Sequence, residues 1–219
     1  MTTGHSENVS TKQRILVEAE KLFAVKGFDG TGIEEIAQNV GIRKSVIYYH
    51  FKNKEQILQT MLQEFTNRGV AFKKGFFERY AGAFEERLED VMEEMIGFME
   101  ENRRILTILL MESIKNPKKV PLLELWNFQS PAAREVVASA REHHIDSVKG
   151  FENNMEGMHD AFFMLSLPLV GYTVFADMWC ERYGWDRSQS RKNFVDGFLW
   201  YFRERFLQGG RRKRDSYDR

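Results

Sequence analysis

The run Ile33-Glu-Glu-Ile-Ala-Gln-Asn-Val-Gly-Ile-Arg-Lys-Ser-Val-Ile-Tyr-Tyr-His-Phe51 constrains this chain more than any other. Apolar residues fall at Ile36, Val40, Ile42, Ile47 and Phe51, the spacing of two short helices with facing inner sides. Gly41 lies between them, and glycine takes a positive φ without steric cost. Ala37, four residues earlier, is small enough for the two helices to cross closely at a steep angle. Thr31 and Glu34 form a T-x-x-E capping box, which predicts a helix start at Thr31 and an end near Asn39. A third helix is predicted from about Arg43 to His50. Asn53 and Gln56 cap a fourth, with Ile57, Leu58, Met61, Leu62 and Phe65 as its apolar stripe. Ahead of these, Ser10 or Thr11 starts a helix carrying Ile15, Leu16, Ala19, Leu22 and Phe23. Gly27 suits a left-handed C-cap for it.

The chemistry of the same stretch points to a polyanion. Between positions 43 and 54 stand Arg43, Lys44, Lys52 and Lys54, with His50 and no acidic residue. The whole chain has a formal net charge of zero, so this is a local concentration of cations. Ser45, Tyr48 and Tyr49 add donors for phosphates or base edges. Tyr48 and Tyr49 are adjacent and point about 100° apart on a helix, so one of them is expected to pack partly inward. The amides at the start of the second helix, with the Thr31 hydroxyl, predict a phosphate cradle.

The remainder reads as helix as well, and the predicted fold class is all-α. Phe84, Leu88, Val91, Met95 and Phe98 follow a four–three spacing, the mark of one helix packing along another. Further helices are predicted at about 102–115, within 121–150, and at about 158–182 and 188–207. The predicted division is a disordered arm at 1–9, a three-helix helix-turn-helix domain at 10–55, a larger helical domain at 56–208 and a disordered basic tail at 209–219. Hydrophobic residues make up 42% and charged residues 29% of the 219 positions, enough for packed cores. Cys180 is the only cysteine, which excludes an internal disulfide. The polar first ten residues do not resemble a signal peptide. The richest apolar run, 161–176, contains Pro168 and has charged flanks, so it predicts a buried helix or an interface rather than a membrane span. A cytoplasmic protein is the expectation.

From about Lys12 to Met61 the chain resembles the TetR family of regulators. The residues that carry the likeness are Ile15-Leu-Val-Glu-Ala-Glu-Lys-Leu-Phe-Ala24, Lys26-Gly27-Phe28, Ile36-Ala37, Gly41-Ile42 and Tyr48-Tyr49-His50-Phe51 with Lys54. They cover about a quarter of the chain; the rest agrees only in length and helical layout. The resemblance implies a homodimer on double-stranded operator DNA, with the third helix in the major groove. It implies Lys44, Ser45 and Tyr48 near bases, and Thr31, Tyr49, His50 and Lys54 on phosphates. The family often begins this helix with Ser-Lys-Gly-Thr, whereas Arg43-Lys-Ser-Val46 stands here. Val46 lacks the hydroxyl of the usual Thr, and Arg43 is placed to read a guanine or pair a phosphate instead.

The expected function is a repressor released from its operator by a small apolar or amphipathic effector. The predicted effector pocket is drawn from the Met- and Phe-rich interior: Met95, Phe98, Met99, Met111, Trp126, Phe128 and Phe162. The predicted dimer interface is Leu165, Leu169, Phe175, Trp179, Phe194, Phe198 and Tyr201 of the last two helices. No P-loop, G-x-G-x-x-G, H-E-x-x-H or nucleophile constellation occurs, so an enzyme is not expected, nor is any cofactor or metal. Neither His143-His144 nor His159-Asp160 has a chelating spacing, and Cys180 reads as a small buried residue. The competing reading is a helical interaction protein whose helix-turn-helix does not bind DNA.

Overall fold

The computed structural model describes residues 10–115, 131–143 and 159–208, and every regular element among them is helical. In order they are α1 (Thr11–Lys26), α2 (Ile33–Val40), α3 (Lys44–His50), α4 (Lys54–Arg79), α5 (Leu88–Glu101), α6 (Arg103–Lys115), α7 (Pro131–Glu142), α8 (Leu167–Tyr183) and α9 (Arg187–Phe202). A π-helical stretch, Asp160–Ser166, leads into α8, and another, Arg203–Gln208, continues α9. The predicted arm at 1–9, the tail at 209–219, and Trp126 and Phe128 lie outside the described residues.

Local chemistry sets the helix starts. The Ser10 hydroxyl accepts the Gln13 amide at 3.2 Å. Asn53 Oδ1 accepts the Gln56 amide at 2.8 Å, and Gln56 Oε1 accepts the Lys52 amide at 2.6 Å, a reciprocal pair of the capping-box kind. Asp186 caps α9 by accepting the Gln189 amide at 2.8 Å. Three features differ from the sequence reading. α4 runs on to Arg79, well past the predicted apolar stripe that ends at Phe65. Phe84 is not on α5: Gly82 takes φ 73° in the intervening turn, so the helix starts only at Leu88. Gly27 has the expected positive φ of 77°, but its ψ of 165° sends the chain out extended rather than left-handed helical.

The chain divides into two compact units, Met1–Thr66 with Arg104–Leu122, and Asn67–Arg103 with Leu123–Arg219. The predicted boundary at 55/56 therefore moves to within α4, and the segment holding nearly all of α6 joins the N-terminal unit. Ile105, Leu106, Ile108 and Leu109 form its buried side.

In the second unit an aromatic core gathers Phe76, Phe77 and Tyr80 of α4 with Val91 of α5 and Ala140 of α7. Phe72 stacks on Phe98 with ring centroids 4.3 Å apart. α5, α8 and α9 pack on one another. Arg187 donates to Asp177 at 2.7 Å and Glu100 at 2.8 Å, while Arg191 donates to Glu93 at 2.6 Å and Glu100 at 2.5 Å. Arg103 also pairs with Asp177. The run predicted to be a buried helix is part of a helical stretch Phe162–Tyr183, whose 22 residues are long and apolar enough to cross a bilayer. Its Asp177 is held by two arginines of its own unit, and its Leu169, Val170, Thr173, Ala176 and Cys180 are buried there.

Asp177 gives this ion-pair cluster a pH signature. The Arg103 and then the Arg187 guanidinium hold its carboxyl below the ordinary range. Its folded value is thus lower than its unfolded value of about 3.9. The stability it supplies is present above that pH and is lost as pH falls through the folded value. We expect Asp177→Asn to lower the melting temperature at pH 7 and to flatten its fall between pH 5 and 2, measured by calorimetry. An unchanged acid limb would refute the role.

Candidate nucleic-acid interface

The first three helices form a tight tripod. Ile15, Leu16, Ala19, Leu22 and Phe23 of α1 are buried, as are Ile36, Ala37 and Val40 of α2 and Ile47 of α3. The turn between α2 and α3 is fixed by Gly41 at φ 73° and ψ 39°, a left-handed conformation that side chains rarely adopt. The Ile42 amide donates to the Ala37 carbonyl at 3.0 Å and the Gly41 amide to Gln38 at 3.1 Å. Arg14 of α1 donates to the Val40 carbonyl at 2.5 Å, satisfying the end of α2. Asn39 of α2 donates to Glu18 of α1 at 3.1 Å, and Lys26 pairs with Glu35. These ties set the crossing of α1 and α2 by charge as well as by packing.

α3 itself is two-sided. Ile47 is fully buried and Phe51, just past its end, is 2% exposed. Arg43, Lys44, Ser45, Tyr48 and Tyr49 are exposed, and His50 is half-buried. Tyr48 is 50% and Tyr49 83% exposed, so the expectation that one packs inward is corrected. Phe51 and Ile47 already fill the inner side. Lys44 lies 3.4 Å from Glu34 and 5.9 Å from the Tyr48 ring centroid, both exposed arrangements that water or a phosphate can replace. Tyr49 meets His50 edge to face at 5.1 Å. Arg43 and the exposed Lys52 make no side-chain ion pair among the described residues. The result is a surface of donors and positive charge on a helix whose other side is locked down.

Two residues predicted to hold phosphates sit elsewhere. Thr31 is 1% exposed, and its hydroxyl donates to the Gly27 carbonyl at 2.9 Å. Gly32, not Thr31, is the N-cap of α2, so the predicted capping box does not form. Thr31 closes the preceding loop instead. The Lys54 ammonium donates to the carbonyls of Phe28 at 2.6 Å and Thr31 at 2.8 Å, and sits 4.3 Å above the Phe28 ring. Both are internal ties of the unit. Sequence reasoning missed a further one, Glu112 of α6, which is 2% exposed and accepts the Phe28 amide at 3.3 Å. Its signal was present: an acidic residue at the helical spacing of Ile105, Ile108 and Leu109, on an otherwise apolar face.

Five of the residues predicted for the effector pocket fall within the described residues. Met95 borders the aromatic core, Phe98 stacks on Phe72, and Met99 is buried on α5. Met111 falls in the N-terminal unit, and Phe162 meets Phe163 edge to face at 4.8 Å. Among the described residues of the second unit, a groove of about 280 Å³ is lined by Tyr172, Phe175, Ala176, Trp179, Ser190 and Phe194. Three of those, Phe175, Trp179 and Phe194, come from the predicted dimer set. Leu169 and Phe198 of that set are buried within the chain, because they face inward from α8 and α9, and are corrected to core. Leu165 and Tyr201 are half-buried. Met178, Tyr183 and Trp200, at 64%, 59% and 67% exposure, lie bare on the same two helices. Cys180 is buried, and His143 contacts the Ser139 carbonyl at 2.8 Å.

Comparison with known proteins places this geometry. Residues 15–61 match the model of the bacterial regulatory proteins, tetR family. The chain is 35% identical over 107 residues to the uncharacterized HTH-type transcriptional regulator YerO of Bacillus subtilis, covering 47% of this chain and 36% of YerO. It is 38% identical over 61 residues to IcaR of Staphylococcus epidermidis, the negative transcriptional regulator of the biofilm operon icaADBC, covering 28% of this chain and 33% of IcaR. The matches thus span about a third of these curated relatives. Among solved structures, the fatty acid degradation regulator FadR of Bacillus halodurans superposes with a TM-score of 0.57 at 17% identity, over 91% of this chain and 97% of FadR. PfmR of Thermus thermophilus does so with a TM-score of 0.50 at 23% identity, over 85% of this chain and 97% of PfmR. At those identities the likeness is one of fold: an N-terminal helix-turn-helix followed by a helical body.

The Lys54 geometry separates a structural tie from a phosphate contact. We expect Lys54→Met to cost about 1.5–3 kcal/mol, the range for hydrogen bonds to a charged group, measured by urea unfolding. The dependence of DNA affinity on salt should stay the same. A slope reduced by about one in log–log form would instead mark Lys54 as a phosphate ligand.

Proposed function

We propose that this chain, whose residues 15–61 match the model of the bacterial regulatory proteins, tetR family, is a cytoplasmic, ligand-responsive transcriptional repressor that binds operator DNA as a homodimer. The observation that carries the reading is α3. Its inner side is buried to the last atom of Ile47, while Arg43, Lys44, Ser45, Tyr48 and Tyr49 stand exposed on its outer side. A seven-residue helix displayed in this way has the size and chemistry to enter a major groove. Lys44, Ser45 and Tyr48 face bases, Arg43 reads a guanine or pairs a phosphate, and Tyr49, His50 and Lys52 hold the backbone. Repression, rather than activation, follows the likeness to IcaR, a negative transcriptional regulator.

The dimer reading rests on α8 and α9. Specific recognition by one short helix needs a symmetric partner about 34 Å away along the duplex. Phe175, Met178 and Trp179 are 51–64% exposed in a row on α8, and Trp200 is exposed on α9. An apolar patch of that kind on a chain with balanced charge calls for a cover, and a second copy supplies a matching one. The effector reading rests on the aromatic core of the second unit, Phe72 through Tyr80 with Phe98, which is adaptable and apolar. An effector that prefers one arrangement of the two DNA-reading heads by about 10⁴-fold, roughly 5.5 kcal/mol, moves the population almost completely. α4 carries Lys54 at one end and Phe72, Phe76 and Phe77 toward the other, and is the lever between them.

The test is a gel shift on the DNA upstream of the chain's own gene at two salt concentrations. We expect retention that survives competitor DNA and falls steeply with salt. Arg43→Ala with Lys44→Ala should abolish it and leave the melting temperature within a degree or two. Retention unchanged by that pair would exclude α3 as the DNA-reading surface, and no specific retention by the wild-type chain would instead support a helical interaction protein.

The dimer has its own check. Met178→Glu with Trp179→Glu should convert the particle to a monomer in sedimentation and, with it, remove specific retention. A dimer that persists in this variant would exclude the α8 face as the interface.

A further inference from the structure

The loop between α1 and α2 is clamped by two charged side chains from distant parts of the sequence. Phe28 is 6% exposed, its ring edge-on to Phe23 at 5.2 Å. Its carbonyl takes the Lys54 ammonium at 2.6 Å, and its amide gives its proton to Glu112 Oε1 at 3.3 Å. One residue thus lies between a carboxylate on its N–H and an ammonium on its C=O. The Thr31 hydroxyl closes the same loop onto the Gly27 carbonyl. Gly32, next in sequence, is the N-cap of α2.

Glu112 is costly to α6 considered alone. A carboxylate at 2% exposure on a face otherwise built of Ile105, Leu106, Ile108 and Leu109 is desolvated. Among the described residues, the cation paired with it is Lys115 at 3.9 Å, whose side chain is 48% exposed. Packing would be served as well by leucine. What leucine cannot do is accept a buried amide, and an unmatched buried N–H is itself expensive. The carboxylate is therefore placed for the loop and not for the helix that carries it.

We infer that Glu112 is a positioning residue for the DNA-reading head. By holding the Phe28 amide it fixes the loop that launches α2, and α2 in turn fixes α3 through the Gly41 turn. α6 then belongs functionally to the head: a side chain 84 positions along the chain from Phe28 sets the pose of the recognition helix. This inference rests on the DNA-binding reading above.

The experiment uses the full-length chain and a fragment selected by it from genomic DNA. Affinities for that fragment and for a random-sequence duplex of equal length are measured by fluorescence anisotropy, with hydrogen exchange at the Phe28 amide. Glu112→Leu is expected to weaken binding to the selected fragment about tenfold, as a hydrogen bond to a charged group allows, to leave random-duplex binding within twofold, and to speed Phe28 exchange. Glu112→Gln keeps an accepting oxygen and should restore both. If Glu112→Leu does not fold, Glu112→Asp decides, since its shorter carboxylate falls short of the amide and should show the same selective loss. Selected-fragment binding and Phe28 exchange that match wild type overturn the inference, and so does an equal loss on both duplexes. A wild-type chain that selects no fragment overturns the DNA-binding reading itself and this inference with it, an outcome distinct from the others.

Discussion

α3 exists because Ile47 and Phe51 are buried. Seven residues are too few to hold a helix in water, where fixing the first turn costs more than one hydrogen bond returns. Two of the seven are adjacent tyrosines on its exposed side, and no side chain caps its start. Its order comes from the tripod beneath it, in which α1 and α2 are tied by the Arg14–Val40, Glu18–Asn39 and Lys26–Glu35 contacts. The exposed donors of α3 can be spent on a partner because none of them is needed to hold the helix in place.

The same division governs the charges around it. The cations of 43–54 look alike in the sequence and differ in the fold. Arg43, Lys44 and Lys52 are exposed, while Lys54 is turned onto two backbone carbonyls. The buried residues of a loop with no helical ladder of its own must still pair their amides and carbonyls. Lys54, Thr31 and Glu112 add side-chain partners to the backbone ones for Gly27, Phe28 and Thr31. The residues that hold the head together and those that face outward are thus interleaved in sequence and separated in space.

The helix-turn-helix was legible because its signals are local. Gly41, Ala37, the Ser10 and Asn53 caps and the four-residue spacing of apolar positions each act within one or two turns, and the structure keeps them. The failures share a physical cause. Thr31 has the side chain of an N-cap, but the Gly27 carbonyl, brought near by a long-range fold, competes for its hydroxyl and wins. Lys54 reads as one more phosphate cation until Phe28 and Thr31 are placed beside it. The return of α6 to the N-terminal unit depends on contacts across more than eighty residues, which periodicity cannot report. On α8 the sequence shows apolar character without direction, so Leu169 reads as an interface residue alongside Phe175 and Trp179.

That last ambiguity has a structural origin. Leu169, Val170, Thr173, Ala176 and Cys180 recur at three- and four-residue steps and face inward. Phe175, Met178, Trp179 and Tyr183 recur in the same rhythm, offset around the helix, and face out. A helix with one apolar stripe is satisfied by the core beneath it; a helix apolar on two sides needs a second surface. Asp177, between the stripes, is fixed by Arg103 and Arg187 and keeps α8 from rotating to hide one stripe at the expense of the other. The ion pairs that anchor α8 to its own unit are therefore also what hold its aromatic side outward, where the proposed second copy would meet it.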